Sequence, residues 1–203
     1  MSPTRTRSRR GEGEQLREEI VEAGTRLLLS TGDEDAVTIR AVAKAVGVTP
    51  PSIYLHFADK NALVLAVCER TFESLDVHIE AAVAGIEDPL EELHARGRAY
   101  VRFGLDNPEH YRVMFMTRPH VDMPPDQMTS GAFEHHFNAV TRACGAGALP
   151  ADTDPLGAAL FLWFGVHGIA SLLIAKPDFP WPPLDALVDD VLGKLIRGLL
   201  PDR

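Results

Sequence analysis

Apolar residues recur at three- and four-residue spacing along most of the chain, a pattern typical of amphipathic helices. The first predicted helix runs from Glu12 to Ser30 and carries Leu16, Ile20, Ala23 and Leu27 on one face. After two short helices, further helices are predicted over about 59–84, 89–106, 108–117, 126–144, 155–175 and 184–200. No long alternating run indicates a strand. The pattern therefore predicts an all-α fold.

A short helix, a glycine and a second short helix are predicted between Thr38 and Phe57. Thr38 is suited to cap the first helix, and Gly47 permits the left-handed residue that a tight connection between helices needs. Thr49 is expected to cap the second helix, whose first turn tolerates the two prolines that follow. Ile53, Leu55 and Phe57 are expected to pack inward. The segment therefore predicts a helix-turn-helix.

In such a motif the second helix enters the major groove by its N-terminal end, where side chains reach base edges and free amides can meet phosphate. The candidate DNA-binding residues are the outward-facing positions of the segment, the lysine just beyond it and two arginines before it. They are Arg9, Arg10, Thr38, Arg40, Lys44, Thr49, Pro50, Pro51, Ser52, Tyr54, His56 and Lys60.

The distribution of charge allows DNA binding although the net charge is −9. Residues 1–60 hold nine basic and nine acidic side chains, whereas residues 61–203 hold 11 basic and 20 acidic ones. All the excess acidity therefore lies in the larger part. Residues 1–11 include Arg5, Arg7, Arg9 and Arg10, which favour either a flexible DNA-contacting arm or a solubilising tail.

The segment from Pro155 to Ala175 holds 21 residues without a charge. It is long enough to span a membrane, but a helix that is apolar all round is equally typical of a buried position. We favour burial, because His167 lies near its middle and no basic cluster sets a membrane orientation. The amphipathic helix from Leu184 to Leu200 also needs a cover. Homodimerisation through residues of about 155–200 would bury both.

Aromatic, sulfur and histidine side chains in the larger part suit an apolar cavity with a few polar groups, although any one of them is more typical of a core. The candidate ligand-binding residues are Phe72, Tyr100, Phe103, Tyr111, Met114, Phe133, His136, Phe137, Trp163 and His167. No metal site or cofactor is expected, because Cys68 and Cys144 lack a CxxC partner and His135 and His136 lack the spacing of HExxH.

Three motifs of the predicted helix-turn-helix stand out: Thr38-Ile-Arg-Ala-Val-Ala, Gly47-Val48-Thr49, and Ile53-Tyr54-Leu55-His56-Phe57 followed by Asp59-Lys60 and Leu63. In these motifs the chain resembles the TetR family of regulators. Trp163-Phe164-Gly165-Val166-His167-Gly168 is similar to the C-terminal domain of one subgroup. The resemblance implies that Tyr54 and Lys60 contact the DNA backbone and that Thr49 to Ser52 approach bases. Pro51 departs from the small or polar residues common near that position.

The resemblance implies a three-helix head for DNA and a larger helical body for a ligand and for dimerisation. We assign a flexible basic arm to 1–11, a DNA-binding domain to 12–60 and a ligand-binding and dimerisation domain to 61–203. The predicted function is a cytoplasmic regulator of operator DNA, most simply a repressor released by a small apolar effector. A transcriptional activator and a helical enzyme are the alternatives, and no membrane association is expected.

Overall fold

In a computed structural model of the chain, residues 12–115 and 131–200 are described. These residues form helices and no strand, which confirms the predicted all-α fold. In chain order the helices are α1 (Glu12–Thr31), α2 (Ile39–Val46), α3 (Pro50–Tyr54), α4 (Lys60–Val83), α5 (Pro89–Asp106), α6 (Pro108–Phe115), α7 (Gly131–Gly145), α8 (Pro155–Ala175) and α9 (Leu184–Arg197). A single 3-10 turn, Glu34–Ala36, lies between α1 and α2.

Capping side chains and one left-handed glycine set several helix ends where the sequence predicts them. Thr38 Oγ1 accepts a hydrogen bond from the Ala41 amide at 3.1 Å, which fixes the start of α2. Gly47 has φ +79° and ends that helix. Asp88 accepts bonds from two amides of the first turn of α5, directly before Pro89. Because these signals are local, the sequence alone was enough to predict them.

The described residues divide into two compact units, 12–72 with 109–115 and 73–108 with 131–200. The core of the first unit contains Ile20, Leu28, Val42, Ile53 and Leu63 from α1 to α4, and Val113 of α6 joins it. The division falls within α4 and again next to Pro108. The assignment of DNA binding to residues 12–60 remains a prediction, and the unit that contains them extends further along the chain.

The second unit is built around α5, which packs against α7, α8 and α9. Two glycines allow the close crossings. A Cβ atom on Gly97 would overlap Leu192, and one on Gly165 would overlap Leu195. Ala139, Val140, Ala159 and other small or branched side chains fill the space between α7 and α8.

Both cysteines are free thiols and half-buried. Burial raises the pKa of the Cys68 thiol to about 11, and the charges of Glu34 and Glu69 add to that shift. The thiol therefore stays protonated at neutral pH and is a poor nucleophile.

Among the described helices, α8 is long and apolar enough to cross a membrane by length and composition. Core helices of soluble proteins pass the same test. In the second unit Ala159 and Ala170 are fully buried, whereas Phe164 is 64% exposed and Leu172 is 54% exposed. Packing against neighbouring helices therefore accounts for one face of α8 and leaves the other uncovered.

Candidate DNA-binding surface and aromatic cluster

The outward face of the helix-turn-helix holds the described candidate DNA-binding residues. Ile53 is fully buried in the core of the first unit and holds α3 by its inner side. The side chains of Thr38, Arg40, Lys44, Thr49, Pro50, Pro51 and Tyr54 are exposed, and those of Ser52, His56 and Lys60 are half-buried. All of them belong to the first unit. Arg9 and Arg10 lie outside the described residues.

The beginning of α3 differs from the sequence expectation. Thr49 occupies the N-cap position, but its hydroxyl caps no amide and instead lies 3.0 Å from the Ser52 hydroxyl. Pro50 and Pro51 have no N–H to offer, and the Ser52 amide already donates to the Thr49 carbonyl at 2.9 Å. The expectation of free amides for phosphate at this helix end is therefore wrong. Two hydroxyls and two proline rings form the tip.

The inward position that the sequence predicts for Leu55 is also wrong. Its side chain is 83% exposed, while Ile53 and Phe57 on either side are buried. The reason is the helical period: Leu55 keeps right-handed helical backbone and the Phe57 amide donates to the Ile53 carbonyl at 3.0 Å, so Leu55, two residues after Ile53, lies on the opposite side. Tyr54 is 56% exposed, so two large side chains at the end of α3 face solvent.

Positive charge on this surface is limited, and part of it is paired. Within the described residues Arg40 and Lys44 of α2 make no ion pair. Lys60 Nζ donates to Asp35 Oδ1 at 2.7 Å, and the Asp35 side chain is 74% exposed. An approaching phosphate would compete with this carboxylate for the lysine. Sequence reasoning missed this pairing, because the two residues are 25 positions apart.

In the second unit, five of the candidate ligand-binding side chains form one aromatic cluster. The Phe133 and Trp163 rings meet edge to face with centroids 5.6 Å apart, and His167 lies 5.9 Å from Trp163. His136 adjoins Phe133, at a centroid separation of 6.4 Å. Tyr100 Oη lies 3.0 Å from His167 Nδ1, within hydrogen-bond distance. We call Tyr100, Phe133, His136, Trp163 and His167 the aromatic cluster.

The remaining candidates lie elsewhere. Phe72 and Tyr111 belong to the first unit, where both contact Phe115. Met114 is half-buried on the same helix as Tyr111. Phe103 packs beside His78, which the sequence did not indicate, and Phe137 packs against the core between α7 and α8. The candidate ligand-binding residues thus belong to separate environments.

Both histidines of the aromatic cluster favour the neutral form. Burial lowers the pKa of the His136 imidazole. The hydrogen bond from its Nε2 to the Ala159 carbonyl, 3.1 Å long, raises this pKa in part. The charge of Arg96 lowers it further. Burial also lowers the pKa of His167. Since a neutral imidazole can accept, the Tyr100 hydroxyl is able to donate to His167 Nδ1.

A stripe of exposed apolar side chains runs along α8. Phe161, Phe164 and Leu172 recur at helical spacing and are 42%, 64% and 54% exposed. We call these three residues the apolar α8 face. Phe161 also approaches Gly198, just beyond α9, since a Cβ atom there would lie 3.7 Å from its ring. Exposed apolar side chains grouped on one side of a helix are typical of interaction sites.

Two family models match most of the chain. Residues 20–67 match the model described as bacterial regulatory proteins, tetR family. Residues 93–199 match the model of the tetracyclin repressor-like C-terminal domain.

Individual relatives agree with these matches. The chain is 28% identical over 111 residues to the HTH-type transcriptional activator FasR of Mycolicibacterium smegmatis, covering 53% of this chain and 51% of FasR, about half of each. A protein of unknown function from Rhodococcus sp. RHA1 superposes with a TM-score of 0.78 at 25% identity, over 99% of this chain and 100% of that one. The regulator FadR of Bacillus subtilis, solved in complex with stearoyl-CoA, superposes with a TM-score of 0.70 at 14% identity, over 89% and 98%.

The pairing of Lys60 with Asp35 leads to a prediction about DNA affinity. The substitution Asp35→Asn releases the lysine and removes a negative charge near the approaching phosphates. An exposed ion pair contributes about 0.2–1 kcal/mol, so binding to a random-sequence duplex at low salt should tighten about 1.4- to five-fold. Fluorescence anisotropy with a labelled duplex measures this.

The control is Glu22→Gln, which also removes an exposed, paired carboxylate of the first unit. Weaker binding by the Asp35 variant would contradict the assignment of this surface.

Proposed function

Because this chain belongs to the TetR family of bacterial transcriptional regulators, we propose that it is a repressor that binds operator DNA and is released by a small apolar ligand. Members of this family bind operator DNA and act as dimers. They are DNA-binding regulators rather than enzymes, and this removes the helical enzyme from the alternatives. The choice of repressor, effector and interface is our proposal, as is a cytoplasmic location.

The observation that carries the proposal is the outer face of α2 and α3. Arg40 and Lys44 are exposed and unpaired among the described residues, and the tip of α3 belongs to the same unit. We assign phosphate contacts to Arg40, Lys44, Tyr54 and Lys60. The arginines of residues 1–11 are proposed to add further contacts to the DNA backbone.

Base recognition is proposed to be largely apolar. The tip of α3 offers Pro50, Pro51 and Leu55 along with the hydroxyls of Thr49 and Ser52. It has no side chain that could form a bidentate pair with guanine or adenine. Proline and leucine surfaces suit the methyl groups of thymine in the major groove, and hydroxyls can reach either a donor or an acceptor. We therefore propose thymine-containing half-sites.

Dimerisation is proposed to use residues of about 155–200, through the apolar α8 face. Two copies that meet through α8 and α9 would form a four-helix interface and remove Phe161, Phe164 and Leu172 from water. The same contact would set the spacing of the two DNA-binding surfaces. Those surfaces must reach half-sites about 34 Å apart, one turn of the duplex.

The effector is proposed to bind at the aromatic cluster. Its rings supply apolar surface, and the Tyr100–His167 pair supplies the polar group that orients a guest. FadR of Bacillus subtilis, which shares the fold, was solved with stearoyl-CoA, so a long acyl chain is the effector class that we propose. Release follows if effector binding favours a spacing of the two heads that no longer fits the operator. DNA must then weaken effector binding by the same factor.

One observation favours activation instead of repression, namely that FasR is called an activator. Transcription in vitro from the bound promoter distinguishes the two functions. Our proposal expects added protein to lower the transcript level and the effector to restore it.

Footprinting of the DNA upstream of the chain's own gene tests the DNA-binding proposal. We expect protection of a palindrome, abolished by combining Tyr54→Ala with Lys60→Ala, because both side chains are assigned to phosphate. The matched control is Phe179→Ala with Lys176→Ala, an aromatic and a lysine of the second unit that should leave protection intact. Absence of binding at low salt would contradict the proposal.

Calorimetric titration with stearoyl-CoA, with and without the operator duplex, tests release. We expect binding that is about 5- to 150-fold weaker when the operator is present, the usual range of allosteric coupling. Trp163→Ala should weaken binding of stearoyl-CoA, whereas the control Trp181→Ala, outside the aromatic cluster, should not. Equal affinity in the two titrations would refute release by this ligand.

A further inference from the structure

Three side chains that could ligate a metal ion meet between α4 and α7. None of them belongs to the aromatic cluster or to the apolar α8 face. Asp76 and Glu80 lie four residues apart on α4, and His135 faces them from α7. One ligand atom from each residue lies within 4.8 Å of the other two. All three residues belong to the second unit.

The distances between these atoms are within about half an ångström of the separations between ligands of a bound cation. His135 Nδ1 lies 2.8 Å from Asp76 Oδ1 and 3.7 Å from Glu80 Oε1. Ligand atoms about 2.0–2.2 Å from a tetrahedral ion are about 3.3–3.6 Å apart, so small side-chain rotations would give this geometry. Gly131 leaves Asp76 Oδ2 accessible, because a Cβ atom there would lie 3.4 Å from that oxygen. A solvent molecule can complete the coordination.

The arginines nearby balance the charges of two glutamates but not the charge of Asp76. Arg96, whose side chain is 5% exposed, donates to Glu80 at 2.8 Å and to Glu92 at 3.0 Å. Arg142 Nη2 also lies 2.6 Å from Glu92. These two arginines balance the two glutamates. Within the described residues, the ion pair of Asp76 is with His135, which carries charge only when it is protonated.

Arg96 also holds the Glu80 carboxylate by Oε1, as hydrogen-bond donors do for carboxylate ligands in metal sites. One imidazole with two carboxylates is a donor set of borderline softness, which suits zinc and similar divalent transition ions better than calcium. We propose that Asp76, Glu80 and His135 form a site for a divalent transition-metal ion, which cross-links α4 to α7.

Sequence reasoning missed this group of residues. They come from two helices, with Glu80 and His135 55 positions apart, so no short ligand motif exists. The proposal replaces the expectation that the chain holds no metal, an expectation based on cysteine spacing and HExxH alone.

Zinc titration of the full-length, chelator-treated protein tests the proposal. We expect calorimetry to give one Zn²⁺ per chain that is lost with His135→Ala and weakened at least tenfold by Asp76→Asn. Zn²⁺ should raise the melting temperature of the wild type, raise that of Asp76→Asn less at the same concentration, and leave that of His135→Ala unchanged. Co²⁺ should give a visible absorption band that His135→Ala removes.

The matched control is His94→Ala, because His94 Nε2 also faces a carboxylate, Asp189, at 3.9 Å but has no second acid within ion-pair distance among the described residues. This variant should bind Zn²⁺ as the wild type does. Thermal melting of the metal-free variants checks that they fold. We expect the His135 variant to fold, because the His135 side chain is 47% exposed. Absence of Zn²⁺ binding by the wild type, or equal binding by the His135 variant, would overturn the proposal.

Discussion

The exposed apolar face of α8 is the constraint on which the proposed mechanism depends. Phe164 is 64% exposed in a helix without a single charged residue, and such a surface is unfavourable in water unless something covers it. Covering it with a second copy explains why a DNA-binding regulator carries a helix as apolar as a membrane span. It also joins two DNA-binding surfaces, which one chain could not supply.

The charges of the proposed DNA-binding surface are a second reason to propose that two copies act together. Arg40 and Lys44 are unpaired among the described residues, Lys60 is held by Asp35, and residues 61–203 carry the excess negative charge. One copy therefore makes few phosphate contacts. Two copies double that number on one duplex, and the second head binds at a high effective concentration once the first is bound. Weak binding by each copy would also suit the proposed release, because a modest change in spacing would remove one of the two contacts.

Local signals predicted this fold well, while long-range contacts did not follow from the sequence. The bounds of α5 and α8, the Thr38 cap and the left-handed Gly47 depend on neighbouring residues and were correct. The inward position predicted for Leu55 is wrong because a residue two positions after the buried Ile53 lies on the opposite side of a helical turn. The side-chain cap expected from Thr49 is absent because Pro51 has no amide hydrogen and the Ser52 amide donates to the Thr49 carbonyl instead. The Lys60–Asp35 pair and the Asp76, Glu80 and His135 group join residues distant in the chain, and tertiary packing alone brings them together.

Sedimentation of the Phe164→Asp variant, alone and with operator duplex, tests the proposed dimer most directly. The charge would have to be buried without a partner in the dimer, so we expect a folded monomer whose operator affinity falls about 100-fold or more. The matched control is Val77→Asp, since Val77 is 68% exposed on α4 and lies outside the proposed interface. That variant should remain a dimer with unchanged affinity. A Phe164→Asp protein that stays dimeric, or that binds operator as tightly when monomeric, would contradict dimerisation through the apolar α8 face.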